Sequence, residues 1–264
     1  MRFCVLGSGS KGNATLVASG STTLLIDGGL SAIEIRRRLT AIGVDFEALT
    51  AILLTHEHTD HIRGVPVLSR QGRIPVFASP ATFTAAGPGL DRLFAYQEFA
   101  AGTTFTIQDL QIHPFAVSHD AVDPVGFQIT DGRLAMGYCT DTGLVSRLMH
   151  HRLSGCHGLV LESNHDPEML RNGSYPPSLQ QRIRGNKGHL ANQDAADFLK
   201  DLLHDGLEHV VLAHLSEANN RPALAMAAAQ QTLAAEPAAG GAVRISLGRQ
   251  NRVGELVCLG RRIG

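Results

Sequence analysis

The run Thr55-His56-Glu57-His58-Thr59-Asp60-His61 constrains this chain more than any other stretch. It places four residues of metal-ligating type within six positions, in the pattern H-x-H-x-D-H. The apolar run Ala51-Ile52-Leu53-Leu54 leads into it and reads as a strand. A tight turn at a strand end aims alternate imidazoles, His56 and His58, at one point. Asp60 and His61 then reach a second point nearby. One open catalytic zinc usually keeps three protein ligands and a water, so four ligands in one loop are too many for it. The arrangement suits two metals about 3.5–4 Å apart that share a bridging hydroxide. The plain alternative is a polar, His-rich surface loop, but this spacing directly after a strand rarely arises by accident.

Two metals require roughly seven or eight protein bonds, so the loop needs distant partners. Of the 13 histidines, two follow apolar, strand-like runs: His119 in Val117-Ser118-His119-Asp120 and His214 in Val210-Val211-Leu212-Ala213-His214. His113, His150, His151, His157, His204 and His209 have no supporting motif. Asp141, in Tyr138-Cys139-Thr140-Asp141-Thr142-Gly143, also ends a strand, and a carboxylate there can bridge two metals. Asp27 closes Leu24-Leu25-Ile26. It is either a turn residue capping its own backbone or a carboxylate that accepts an N–H from a liganding imidazole.

Short β-rich runs come first, at residues 3–6, 15–18 and 22–26. A helix is predicted from about 31 to 42, with Ser31 as N-cap and Glu34 at the capping-box position. Another begins at or shortly after His61. Strands are predicted at 75–77, 103–107, 110–117, 125–130, 134–138, 158–161, 208–213, 243–247 and 255–259. Further helices are predicted at 81–86, 144–153, 177–184, 191–204 and 221–235. Strand-rich blocks each followed by helices imply a layered α/β (α+β) domain, two packed sheets with helices outside, spanning 1–264 as one unit. The sequence Gly7-Ser8-Gly9-Ser10-Lys11-Gly12 satisfies G-x-G-x-x-G, with Asp27 twenty residues beyond Gly7. A dinucleotide loop needs a helix after the glycines, and the Thr/Val/Leu-rich residues here predict a hairpin instead.

The formal net charge of −1 excludes a generally basic nucleic-acid coat. With no Trp and three Tyr, broad stacking platforms are not expected. Four cysteines without a C-x-x-C pair point to reduced thiols. No secretory signal or membrane span is visible, so a cytoplasmic protein is expected.

The order H-x-H-x-D-H, then His119, Asp141 and His214, resembles the metallo-β-lactamase superfamily. The resemblance implies an αβ/βα sandwich with a dinuclear site on one edge. It implies that His56, His58 and His119 hold one metal, that Asp60, His61 and His214 hold the other, and that Asp141 bridges them. It also favours the imidazole-orienting role for Asp27. More narrowly the chain resembles the YycJ/WalJ-type branch, described as DNA exonucleases, through residues 7–17, 24–29, 53–65, 117–127, 159–197 and 211–222. Lys11 and Pro177 are minor departures. The branch implies a nuclease acting on DNA rather than RNA, with 5′→3′ exonuclease action and two divalent ions, Zn or Mn with Fe also compatible. Residues 169–193 hold no acidic side chain and carry Arg171, Arg182, Arg184 and Lys187. Arg182, Arg184 and Lys187 are therefore expected to grip phosphate. His189, in a Gly-His turn like one in related nucleases, is expected to act on the phosphate or leaving oxygen alongside Asp60 and Asp141. Glu162 is expected to orient His189 or a ligand histidine. His165 is open between structural and active-site roles. Other hydrolases on the same metals, acting on small phosphodiesters, lactones, thioesters or tRNA 3′ ends, are the competing readings.

Overall fold

The computed structural model describes residues 1–240 and 242–260. The last four positions of the expected 1–264 unit lie outside the described residues. Among the described residues fourteen strands form two seven-stranded sheets. The first contains β1 (Arg2–Gly7), β2 (Ala14–Ser19), β3 (Thr22–Ile26), β4 (Ala51–Leu53), β5 (Val76–Ala78), β6 (Tyr96–Glu98) and the late β14 (Val257–Cys258). The second contains β7 (Phe105–Ile107), β8 (Leu110–Ala116), β9 (Val125–Thr130), β10 (Ala135–Cys139), β11 (Gly158–Glu162), β12 (His209–Ala213) and β13 (Arg244–Leu247). The helices are α1 (Ala32–Ala41), α2 (Thr59–Ile62), α3 (Val65–Gly72), α4 (Pro80–Ala86), α5 (Arg147–Leu153), α6 (Pro167–Asn172), α7 (Pro177–Arg184), α8 (Asn192–Leu202), α9 (Pro222–Ala235) and α10 (Pro237–Gly240).

Each sheet is an antiparallel meander that turns into a parallel run. In the first, β14, β1, β2 and β3 are antiparallel neighbours, and β3 to β6 run parallel. In the second, β7 to β10 are antiparallel, and β10 to β13 run parallel. Tight turns suffice for the first kind of connection, whereas parallel neighbours need crossovers, which supply the outer helices.

The period of two along each strand explains the layering. Val5, Val17, Leu24, Ile26 and Leu53 face the second sheet and pack with Phe127, Tyr138, Val160 and Val211. Cys4, Leu6, Leu16, Leu25 and Ile52 face outward under α1 and α3. On the other side Leu159, Leu161, Val210 and Leu212 pack under α5, α8 and α9. Strands covered on both faces read as continuous apolar runs, as β4 and β12 do. Truncating a core ring such as Phe127, fully buried between the sheets, costs about 3–5 kcal/mol.

Several predicted elements shift for local reasons. The helix expected near His61 is two helices, α2 and α3, parted at Gly64; a Cβ there would lie 2.1 Å from the Leu30 carbonyl oxygen. The helix expected from 144 starts at Arg147, because Ser146 caps it by accepting the Met149 N–H at 3.2 Å. Only half of the expected capping box forms at α1. Ser31 Oγ accepts the Glu34 N–H, but the Glu34 carboxylate is taken by Arg37 and Arg38. The strand expected at 255–259 shortens to β14; β6 has no sequence signal, whereas α6 has one in Asp166-Pro167, where the Asp166 carboxylate accepts the Met169 N–H at 2.8 Å. The G-x-G-x-x-G segment joins β1 to β2, as expected for a hairpin. Among the described residues no helix is long and apolar enough to cross a membrane. All four cysteines are free, and burial pushes the Cys4 and Cys156 thiols up to about 12.

Candidate metal centre

Six strands that point the same way, β3, β4, β8, β10, β11 and β12, deliver their C-terminal ends to one rim, the usual ligand edge of such sheets. Asp27 follows β3, the His56–His61 loop follows β4, and His119 lies shortly after β8. Asp141 follows β10, Glu162 ends β11, and His214 follows β12. Asp27, Asp141 and His214 have φ of 60°, 57° and 56°. Left-handed backbone at a non-glycine residue costs about 1–3 kcal/mol and persists where the surroundings enforce it, often at functional sites. The turn after Asp27 also needs a glycine. A Cβ on Gly29 would sit 1.5 Å from the Asp60 carbonyl oxygen, so the turn packs backbone to backbone on the start of α2.

All seven expected ligands converge. His56, His58 and His119 form one group of donor atoms lying within 4.8 Å of one another. Asp60, His61 and His214 form a second, and Asp141 joins His56 and His61 in a third. Asp141 Oδ2 lies 3.5 Å from His61 Nε2, and Oδ1 lies 3.3 Å from His214 Nδ1 and 3.9 Å from His119 Nε2.

The hydrogen bonds fix the tautomers. Asp27 Oδ2 accepts from His61 Nδ1 at 2.8 Å, and Glu162 Oε1 accepts from His214 Nδ1 at 2.8 Å. The Gly188 carbonyl accepts from His119 Nδ1 at 3.1 Å. Thr55 has one hydroxyl proton and places it on Asp27, so its oxygen accepts from His56 Nδ1 at 2.9 Å. Carboxylates and carbonyls only accept, so in all four rings Nδ1 is committed as a donor and Nε2 is the nitrogen turned toward the centre. His58 is turned the other way, with Nδ1 facing His119 Nε2 at 3.4 Å.

The donor set fits divalent cations. His56 Nε2, His214 Nε2 and Asp141 Oδ2 are buried without a hydrogen-bond partner among the described residues. Each such orphan costs about 1–3 kcal/mol unless something meets it. Charge points the same way. Burial opposes a charged His61, yet the carboxylates of Asp27, Asp141 and Asp60 overcome it and raise its pKa well above the ordinary value. His214 is likewise pushed up to about 10 against its burial by Asp141, Asp60 and Glu162. This half of the pocket draws positive charge. In the histidine-rich half, burial and then the neighbouring rings push His56 well below its usual value, which suits a neutral ligand.

Glu162 touches both His214 and His189. Its Oε1 accepts from His189 Nδ1 at 2.9 Å as well as from His214, and Oε2 accepts the N–H groups of Thr142 and Leu190. Burial would raise its pKa, but His189 and His214 outweigh burial and hold it well below the usual carboxylate range. A cleft of about 250 Å³ opens onto His189, lined by Ser10, Asp120, Tyr175, Leu179, Arg182 and Ser216 among others.

The other expected phosphate contacts divide between the cleft and the open surface. Arg182 lines the cleft but is held by Asp120 at 2.5 Å. Arg184 and Lys187 are exposed and do not line it. His165 is tied through its backbone to Ala191 and Asn192. Burial lowers its pKa to about 4, so the ring is neutral at pH 7.

Sequence reasoning missed two residues. Thr55 links Asp27 to His56, and its only signal was a hydroxyl beside the first ligand. Asn13 is buried and donates to Asp60 Oδ2 at 3.1 Å while facing His61 Nε2 at 3.0 Å. Its own amide is set by the Gly9 backbone. A polar side chain entering an otherwise apolar strand was the available sign.

A β-lactamase superfamily domain is recognised over residues 22–215. A Bacillus anthracis protein named exodeoxyribonuclease YycJ is 38% identical over 235 residues, 88% of this chain and 89% of that protein. A Streptococcus pneumoniae protein named exodeoxyribonuclease WalJ is 39% identical over 228 residues, 85% of each chain. The chain belongs to the metallo-β-lactamase superfamily, in its YycJ/WalJ branch. Its sandwich is that of the superfamily. The metallo-β-lactamase fold protein YhfI from Bacillus subtilis superposes with a TM-score of 0.72 at 18% identity, covering 96% of this chain and 99% of that one. The clustered His and Asp side chains described above accord with the metal-dependent hydrolases of this superfamily.

Proposed function

We propose that the chain is a phosphodiester hydrolase acting on nucleic acid, with DNA favoured, and that it removes nucleotides from a strand end in the 5′→3′ direction. The observation that carries this reading is the convergence of His56, His58, Asp60, His61, His119, Asp141 and His214 beside a further histidine, His189, that belongs to neither ligand group of the His loop. The names of the two relatives support the substrate class. His56, His58 and His119 would hold one divalent ion, Asp60, His61 and His214 a second, with Asp141 between them. Such ions supply Lewis-acid polarisation and lower the pKa of water.

The chain's own residues do the rest. Asp27, Thr55, Glu162 and the Gly188 carbonyl hold the ligand rings in one tautomer. Glu162 fixes His189 through Nδ1, which leaves Nε2 to meet a phosphate or leaving-group oxygen in the cleft. Arg182, held by Asp120, presents a guanidinium to the same cleft.

Digestion of 5′- and 3′-labelled duplex DNA, with matched RNA and precursor tRNA, by Mn- or Zn-loaded protein tests the reading. Stepwise release from the 5′ end of DNA is expected. Hydrolysis of a lactone or thioester with inert nucleic acid would overturn it.

A further inference from the structure

We propose that a second cleft, across the Gly7–Gly12 turn from His189, is a phosphate-binding subsite for the nucleic-acid strand cleaved at the metal centre. The assignment rests on the hydrolase reading above. The cleft measures about 610 Å³, within the range of about 300–1,000 Å³ that holds a small ligand and sufficient for one nucleotide unit. Lys11, Arg249 and Arg252 supply its cations against one carboxylate, Glu217, and Ser8, Ser216 and Asn220 supply uncharged polar groups.

The cleft adjoins the centre directly. Ser8, on its wall, accepts the backbone N–H of His214 at 2.7 Å. Ser216 lines both this cleft and the one at His189. A strand passing over Ser216 therefore reaches both. The turn that mimics a dinucleotide loop is the ridge between them, with Ser8 and Lys11 on one side and Ser10 on the other.

Two of the three cations are unpaired and preset. Lys11 is paired with Glu217 at 2.6 Å. Arg249 and Arg252 make no ion pair among the described residues, and Arg249 Nε is shielded from solvent without a partner. Their loop is fastened between them. Gln250 accepts from the Lys11 N–H at 2.8 Å and donates to the Gly12 carbonyl at 3.0 Å. The buried Arg38 donates to the Gln250 carbonyl through both terminal nitrogens at 3.0 Å. Two unpaired guanidinium forks on an anchored loop suit phosphate, which they bind bidentately. The N-terminus of the 14-residue α9 opens on the same cleft at Asn220 and Pro222 and adds positive potential. A backbone phosphate next to the scissile one is the ligand this arrangement fits.

The test is fluorescence anisotropy of labelled phosphorothioate DNA and RNA single strands with Mn-loaded protein across a salt series. The variants are Arg249→Gln/Arg252→Gln and, as a charge control outside both clefts, Arg133→Gln. The double variant is expected to keep its metal content and raise Kd at least tenfold. Its plot of log Kd against log salt should be shallower by about 1.4, at roughly 0.7 per lost single-strand contact. If the double variant loses metal, Arg252→Gln alone, whose side chain is exposed, should show about half that change in slope. Unchanged Kd and slope, or equal weakening by Arg133→Gln, overturns the subsite. Wild-type protein that binds these strands through Arg249 and Arg252 but cleaves no phosphodiester sinks the hydrolase reading and leaves the cleft as a strand-binding site alone. Wild-type protein that cleaves bis-p-nitrophenyl phosphate but binds no oligonucleotide does the reverse.

Discussion

Glu162 holds His189 through one carboxylate oxygen, Oε1 to Nδ1 at 2.9 Å. The same oxygen accepts from His214, and the other oxygen accepts two backbone N–H groups. Every lone-pair direction of this fully buried carboxylate is thus committed. One group sets a metal-facing ring and a substrate-facing ring together.

Glu162→Gln should therefore be far from conservative. Whichever way the amide turns, its NH2 meets donors. Loss of this kind of support usually lowers metal affinity about 10–100-fold, and the stranded donors cost about 1–3 kcal/mol each. Metal titration and thermal melting of the variant should show both losses. Wild-type affinity and Tm would contradict the role.

His189→Ala should separate chemistry from metal binding. Metal content is expected to hold while kcat falls at least about a hundredfold, the low end for acid–base participation. Loss of metal in proportion to activity would instead make His189 a ligand, as its proximity to Asp141, Glu162 and His214 allows geometrically.

Thr55→Val tests the tautomer argument. Valine keeps the shape and removes the hydroxyl that donates to Asp27 and accepts from His56. Metal affinity should fall about 10–100-fold, with the His56 side of the centre emptied first. Metal-edge spectroscopy of Co-substituted protein would detect the altered ligand set; an unchanged spectrum would refute the linkage.

Much of this centre was legible because its ligands sit at strand ends, where apolar runs of four or five residues stop at a single His or Asp. His214 carries that signature directly, His119 and Asp141 carry it after the polar spacers Ser118 and Thr140, and the H-x-H-x-D-H loop announces that partners are needed. Asn13 and Thr55 were not legible. Their importance comes from contacts set by folding, Asn13 to Asp60 across 47 positions and Thr55 to Asp27 across 28. In the acid-free stretch 169–193 only Arg182 of the expected phosphate contacts lines the cleft at His189, because charge along the sequence does not say which side chains share a cleft. Arg249 and Arg252 stand in a loop without any sequence motif, and only the fold brings them beside Ser8 and Lys11. Two packed sheets with helices outside are legible in the strand-rich blocks each followed by helices, whereas the strand order and the division of α2 from α3 at Gly64, which lies against the Leu30 backbone, are not.

Glu34 gives a pH signature away from the metals. Hydrogen bonding to Arg37, then to Arg38, holds its pKa at about 2, against about 4.3 in an unfolded chain. The folded value lies below the unfolded one, so the stabilisation is complete above about pH 4.5 and disappears as pH falls toward about 2. Arg38 also anchors the loop that carries Arg249. The Tm difference between wild type and Glu34→Gln should thus be present at pH 7 and shrink steadily below about pH 4.5. A difference independent of pH would show that the pair contributes nothing through ionisation.

The most direct test is the number of divalent ions bound per chain, measured by elemental analysis after reconstitution, in wild type and in His119→Ala and His214→Ala. Two ions in the wild type and about one in each variant, with phosphodiesterase activity lost in both, is the expected result. A wild type that binds one ion or none, or variants that retain the full complement, would contradict the shared centre on which the proposed chemistry depends.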